Sequence, residues 1–508
     1  MASLAAGTHN IAVNAQRAIV PLSGLDGVFL DLETPETPMH VGSLHVFAKS
    51  TRPRDFCSAM KRALAGRLHL APIFGRRLAT VPLNLAHPVW VDDDKIDLDF
   101  HVRRVRLPAP GTLAQLEDCV AGLHAQLMDR SRPLWMVYVL DGLQDGREAY
   151  YIKIHHAVLD GAAGIGLATV LFDVSPKRRR PVQGAGRAGR SGAAPGAIAA
   201  AGAALSHDAG QFVRLLRYLP TAASALANMI QSPAFLSGKQ LRRNFSFGPR
   251  TPLNVTIGPE RSLAVLSLPL DEVKAIGKAE NATINDVVLA LCAGTLRRYL
   301  ARHGGVPRKP LTATMPISLR EPGDVSFGIH ATLSLVRLPT NLVDPLRRLH
   351  SVRAAAGATK LLAQRAKALI PTDFPSIGVP WLVRSLAALY GKSHVADMLP
   401  PIANVVVSNI PGPPVPLYSL GARMEAYWPL SIVEHGIGLN ITVVSYSGAL
   451  GFGFTAARCA VPDARELAHD LAAAHAELRA CTAQARRRRS AGTSRRRPSV
   501  ARGSRRTR

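Results

Sequence analysis

Residues 150–161 read YYIKIHHAVLDG, an apolar run that ends in two adjacent histidines and an aspartate. Tyr151, Ile152 and Ile154 suit a pleated strand, whereas Gly161, Ala162, Ala163 and Gly164 form a small-residue turn into an apolar run at 165–172 with helical character. The fold must therefore bring a strand to its end at His155 and His156 and open there into a loop, the kind of place where catalytic groups are presented. Histidine titrates nearest neutral pH, so it can take a proton from a hydroxyl or thiol and return it to a leaving group. His156 is the candidate base. Asp160, four positions on, is close enough to fix the loop by accepting backbone N–H groups or pairing with an arginine, and Gly161 permits a positive φ or a close ligand approach. A lone histidine at a strand end is usually structural; the pattern HHxxxDG as a whole points to chemistry.

Around this strand the hydrophobic pattern alternates between strand and helix, which predicts an α/β (α+β) chain in two halves. In the first half, 42–47 and 135–140 read as strands and 55–64 as a helix. A stretch rich in Gly, Ala and Arg over 176–206 reads as a linker, followed by a helical stretch near 211–230. The second half begins near 251, with strands expected at 261–268, 311–316, 404–408, 438–446 and 449–456 and helices at 270–279, 284–300 and 464–482. The expected division is 1–175, a linking segment 176–250, a second domain 251–482 and a disordered arginine-rich tail 483–508.

Composition narrows the class. A length of 508 residues with 47% hydrophobic content supports well-packed cores. Five scattered cysteines without a CxxC pair argue against a zinc ribbon or disulfide scaffold and fit a reducing cytoplasm. Neither a secretory leader nor a run of about eighteen apolar residues is evident. The net charge of +27 is concentrated: eleven arginines and no acid fall in 486–508, and six basic residues in 177–190. Such blocks are ordinarily solvated, so no dedicated nucleic-acid binding is expected. Arg486 to Arg489 and Arg495 to Arg497 could dock on an anionic membrane or lipid droplet. There is no GxSxG elbow, no P-loop and no dinucleotide fingerprint, and Cys292 sits within an apolar helical pattern, as a buried small residue would.

Several separated stretches, taken together, resemble the bacterial wax ester synthase/diacylglycerol acyltransferase family. They are PLSGLDGVFLDLETPETPMHVGSL near the start, SRPLW at 131–135, HHAVLDG, NATINDVVLALCAGTLRRYL at 281–300, MPISLR at 315–320 and NVVVSNIPGP at 404–413. The resemblance implies two tandem chloramphenicol-acetyltransferase-like domains, mixed sheets packed with helices, and an active-site channel between them. It implies transfer of a fatty acyl group from acyl-CoA to diacylglycerol or a long-chain alcohol, with no metal, cofactor or covalent intermediate; insoluble substrates and the basic segments add to the expected cytoplasmic location a peripheral contact with the inner membrane face or lipid droplets.

Carried over residue by residue, the resemblance makes His156 the general base and His155 its motif neighbour. Asp160 and Gly161 shape the loop, with Arg320 as the expected partner of the aspartate. Pro133, Leu134 and Trp135 match a PLW motif, either packing or lining the substrate. Asn285 and Asp286 match an ND motif that either caps the long helix or supports the site. Ser408 and Asn409 are candidate donors to the tetrahedral oxyanion. One departure stands out: where the family commonly carries a Gly-Asn pair, this chain reads Gly328, Ile329, His330, which removes an amide donor and acceptor. Two other readings share parts of this pattern. A condensation-type acyltransferase making an amide or polyketide-derived ester also carries HHxxxDG, and a catalytically silent lipid-surface protein would use the basic segments alone.

Overall fold

The computed structural model describes residues 19–158 apart from 23, 50–54, 82–86 and 94, residues 168 and 170–177, parts of 199–224, residues 248–318, 331–366, 385, 389, 395–398 and 400–494. Two six-stranded sheets and one three-stranded sheet organise them. The small sheet joins β1 (Val20–Pro21), β4 (Val89–Asp92) and β3 (Arg76–Ala79). The first large sheet centres on β7 (Glu148–His155), which pairs antiparallel with β2 (His40–Phe47) on one side and β6 (Trp135–Asp141) on the other, with β5 (Val102–Arg106) parallel to β6 at one edge. Apart from half-buried Glu148, every residue of β7 is buried, so both faces are covered and the strand reads as an apolar run without alternation. The second sheet runs β10 (Ala331–Leu338), β9 (Leu311–Ser318), β11 (Val405–Ile410), β14 (Leu439–Tyr446), β15 (Ala449–Ala457), β8 (Arg261–Pro269).

The expected strands and helices of both halves are present at these positions, with boundaries shifted by a few residues. The N-terminal helix α1 (Gly24–Leu32) lies against the turn that follows β7, and α2 (Phe56–Ala65) begins at Asp55, whose carboxylate caps the Ser58 N–H. After the short α3 (Leu98–His101), helix α4 (Leu113–Ala125) opens with a Thr112–Gln115 capping box. In the second half come α5 (Leu270–Glu280), α6 (Ile284–Arg302), α7 (Pro345–Ala366), α8 (Val395–Met398) and α9 (Arg465–Ser494). Helix α6 is apolar nearly all round because it is enclosed by α7, α9 and the second core; Val287 to Leu291 are all buried. Each of the valines and leucines among them contributes roughly 1.5–3 kcal/mol on burial.

The two sheets are not independent. Strands β12 (Tyr418–Ser419) and β13 (Ala422–Leu430), from the second half of the chain, complete the first sheet by pairing β13 antiparallel with β2. To get there β13 crosses β15, and the crossing needs glycine: a Cβ at Gly453 would lie 1.8 Å from the Pro429 carbonyl oxygen and one at Gly451 2.0 Å from that of Tyr427. The alternating Phe452 and Phe454 fill the second core from the other face. Further ties join the halves. Glu117 of α4 accepts the Val265 N–H of edge strand β8 at 2.9 Å, and burial pushes this carboxyl up to about 7. Arg261 donates to the Glu36 carbonyl at 2.5 Å, and Arg465 pairs with Asp118 at 3.3 Å.

Two expectations need comment here. The C-terminal helix does not stop at 482 but continues to Ser494, so the tail expected to be disordered from 483 is helical over its first part. The physical reason is tertiary: Arg489 lies against α5 and pairs with buried Glu280 at 3.0 Å, anchoring a segment that its own composition leaves solvated. Most of the expected linker and the helical stretch near 211–230 lie outside the described residues, as do Arg495 to Arg497.

The crossing supplies a test. Gly453→Ala should lower unfolding stability by about 1–3 kcal/mol, because the methyl must displace the β13 backbone; a shift in the urea midpoint at unchanged slope would measure it, and an unchanged midpoint would contradict the close approach.

Candidate active site

Strand β7 delivers the histidine pair to its end, and a single 3-10 turn, His156–Val158, follows. The His155 N–H donates to the Leu134 carbonyl at 3.1 Å and the His156 N–H to the Met39 carbonyl at 2.8 Å. The pair is thus hung between β6 and the segment entering β2. The two rings then meet different surroundings.

His155 is fully enclosed. Its Nδ1 accepts the Ala157 N–H at 3.1 Å, which leaves the ring proton on Nε2, 3.4 Å from the Glu33 carboxylate. Glu33 in turn accepts the Met39 N–H at 3.1 Å and a double contact from Arg130, Nε at 3.0 Å and a terminal nitrogen at 2.7 Å. The guanidinium also donates to the Leu30 carbonyl at the end of α1. Burial would raise the Glu33 pKa, but hydrogen bonding and charge from His155 and Arg130 outweigh it and hold the carboxyl at about 2. The carboxylate is therefore charged at every working pH and fixes the His155 tautomer.

His156 is only half-buried, with its ring stacked on Phe29 of α1 at a centroid distance of 4.0 Å and 19° between planes. Nδ1 is buried and makes no hydrogen bond with another group among the described residues. Burial, then the adjacent His155, depress its pKa to about 4, with a contact to its own backbone acting in the opposite sense. The ring is neutral at pH 7, the state a base requires.

Behind the pair lies a buried set of groups whose protonated forms burial disfavours. His40 stands opposite His155 across β2 and β7; its Nε2 meets the His124 carbonyl at 2.6 Å, and its pKa is held well below the usual histidine value by burial, Lys153 and His124. His124, lowered to about 3 by burial, contacts the Tyr151 hydroxyl at 2.6 Å and the Ser431 carbonyl at 3.1 Å, the latter just past β13. Lys153, lowered to about 7 by burial, donates to the carbonyls of Leu123 and Gln126 and so closes the C-terminal end of α4.

The other residues singled out in the sequence fall into separate places. Leu134 and Trp135 are core residues: the indole N–H donates to the Phe74 carbonyl at 2.9 Å and the ring stacks on His101. Together with buried Pro133 they serve the pair through the Leu134 carbonyl. Asp286 forms a capping box with Thr283 at the start of α6. Its neighbour Asn285 instead meets Asn409, whose side-chain amide donates to it at 3.4 Å, with Met315 alongside. Ser408 is half-buried on β11. Asn285 and Asn409 thus converge on the second sheet, while His155 and His156 belong to the first; no hydrogen bond joins the two groups among the described residues. Asp160, Gly161 and Arg320 lie outside the described residues, as do Gly328, Ile329 and His330.

Sequence reasoning missed Glu33, Arg130 and Phe29. The signal was available in part: Phe29 and Glu33 are four residues apart, one helical turn, so whatever one faces the other adjoins. Arg130 is ninety-seven residues from Glu33 and carries no such signal. Among the described residues no group of three His, Cys, Asp or Glu side chains could hold a metal ion.

The histidine pair thus ends a strand of the first sheet, which the crossing strand β13 joins to the second half of the chain. A model of the wax ester synthase/diacylglycerol acyltransferase catalytic domain matches residues 22–288, and one of the WS/DGAT C-terminal domain matches 328–479. A Mycobacterium tuberculosis protein described as "Putative diacyglycerol O-acyltransferase" is 36% identical over 92% of this chain and 91% of its own. The O-acyltransferase WSD of Acinetobacter baylyi is 34% identical over 88% and 94%. Among solved structures, the wax ester synthase/diacylglycerol acyltransferase of Marinobacter aquaeolei superposes with a TM-score of 0.65 at 29% identity, covering 91% of this chain and 100% of that one. A condensation domain of the calcium-dependent antibiotic synthetase, at 15% identity and a TM-score of 0.52, shares the fold alone. The chain belongs to the wax ester synthase/diacylglycerol acyltransferase family.

The Glu33 arrangement predicts a pH-dependent stability. A carboxyl held at about 2 against an ordinary 4.5 adds stability that is complete above 4.5 and is lost as pH falls toward 2. Glu33→Gln should therefore cost about 2–3 kcal/mol at pH 7 and markedly less at pH 3; equal costs in urea unfolding at both pH values would contradict a charged Glu33 held between Arg130 and His155.

Proposed function

We infer that this protein transfers a long-chain acyl group from acyl-CoA to the hydroxyl of diacylglycerol or of a long-chain alcohol, with His156 as general base. The observation that carries this reading is the neutral, half-buried His156 ring beside the tautomer-locked His155, in a chain of this family. The acceptor hydroxyl gives its proton to His156 as its oxygen attacks the thioester carbonyl. The C–O bond forms, a tetrahedral oxyanion results, and its collapse breaks the C–S bond. The imidazolium then returns the proton to the departing CoA sulfur, so ester and free CoA leave and no group remains on the protein. The reaction as written needs no metal or cofactor.

The expected roles of the loop and the second half complete the proposal. Asp160 and Gly161 shape the loop after His156, with Arg320 as partner of the aspartate. Asn409, already set against Asn285, or its neighbour Ser408, which β11 turns to the other face of the sheet, is the proposed oxyanion donor, and one such donor is worth roughly 3 kcal/mol. The two substrates meet in a channel between the two halves. The condensation-type alternative shares the HHxxxDG pattern and, at 15% identity, the fold.

Both acceptors are poorly soluble, so a lipid surface is the proposed working place. Among the described residues no helix is long and apolar enough to cross a membrane. Arg486 to Arg489 lie exposed near the end of α9, a basic segment suited to an anionic membrane or lipid droplet. Flotation with vesicles containing phosphatidylglycerol should carry the protein upward at low salt and release it at high salt; no flotation at low salt contradicts this placement.

The chemistry is tested by ester formation from labelled palmitoyl-CoA with hexadecanol and with dioleoylglycerol in separate reactions. His156→Ala should lose about 10²–10⁴-fold in kcat with its fold intact. Because the base acts when neutral and its pKa is lowered to about 4, kcat/KM should stay level as pH falls through 6.5 and halve near 4. A limb at 6.5 would mean that burial does not suppress this ring, and an unimpaired His156→Ala would remove it as base.

A further inference from the structure

The proposed reaction asks His156 to become an imidazolium in a place that opposes charge. Burial and His155 both disfavour the cation, and among the described residues no carboxylate contacts the ring. Its Nδ1 has no hydrogen-bond partner in another residue among those described. One neighbour has the opposite preference. The face of Phe29 lies flat against the imidazole at 4.0 Å and 19°, and the face of an aromatic ring attracts a cation through its quadrupole.

Phe29 is also held in place. A Cβ at Gly27 would come within 2.5 Å of the His87 ring, so the glycine lets His87 pack on α1. His87 then pairs with Asp31 at 2.8 Å. Arg130 ties the end of the same helix by donating to the Leu30 carbonyl at 2.7 Å and to Glu33. Helix α1 is thereby pinned on either side of Phe29, and one helical turn offers a ring to His156 and a carboxylate to His155.

We propose that Phe29 is a positioning residue for acyl transfer: its aromatic face sets the plane of the His156 ring and favours the imidazolium that forms as the acceptor hydroxyl loses its proton. The inference rests on His156 being the base. Phe29 touches neither substrate in this scheme and acts through His156 alone.

The test separates ring electronics from packing. Pentafluorophenylalanine at position 29 keeps the shape of phenylalanine and reverses its quadrupole, Phe29→Leu removes the ring, and Phe29→Tyr keeps it. The full-length protein is assayed with palmitoyl-CoA and hexadecanol, alongside His156→Ala, after thermal melts confirm folding. The fluorinated and leucine variants should each lose on the order of ten-fold in kcat, with KM nearly unchanged, while Phe29→Tyr stays near wild type. A fluorinated variant with wild-type kcat overturns the inference, as does a Phe29→Tyr variant that falls as far as Phe29→Leu. If His156→Ala remains active, the base assignment fails and this inference with it; if His156→Ala is inactive and the fluorinated variant is not, Phe29 alone is refuted.

Discussion

The pairing of β13 with β2 is the constraint on which the remaining structure depends. It joins a strand from residues 422–430 to the sheet that presents the histidines, so the first half does not complete its sheet alone. The joint is possible because β15 carries glycine at 451 and 453 where the β13 carbonyls press in. On the other side of β2 the register places His40 against His155, and the same register brings Gly42 against Lys153. Gly42 matters here because a Cβ there would meet the Tyr151 ring at 2.6 Å. The site is therefore built on pairing that spans the chain.

Electrostatics at the site follow from burial of many basic groups together. His40, His124, His156 and Lys153 all have their protonated forms suppressed, each with burial as the largest cause. Against them stands the buried carboxylate of Glu33, held charged with Arg130 and His155 beside it. The Glu33 carboxylate and the Arg130 guanidinium thus form a charged pair against His155, while Lys153, lowered to about 7, is about half protonated at neutral pH. A half-buried neutral His156 differs from its neighbour His155 in accessibility and in what orients it. Backbone groups and a carboxylate orient His155, whereas stacking orients His156.

Much of this was legible in residue order. The strand ending at His155, the long apolar α6 and the strands of the second sheet follow from periodicity and residue type, because local patterns reflect which faces are buried. The family resemblance carried by the six quoted stretches agrees with the match of both family models. Elements with weak local patterns escaped: α1 at 24–32, whose role is to face the histidines, and β13, whose sequence ARMEAYWPL gives no hint of a sheet in the other half. The end of α9 escaped for a related reason, since four consecutive arginines read as solvated until Glu280 is seen beside one of them.

By itself the sequence determined the chemistry on offer: two histidines at a strand end, an aspartate and glycine after them, and a family whose members act on acyl groups. Those features are local, and adjacent residues stay adjacent in any fold. Only the tertiary structure decided which histidine is enclosed and which is half-open. That assignment depends on Glu33, Arg130, Phe29 and Met39, which reach the pair from other segments, and burial with its charge suppression exists only once those segments have packed.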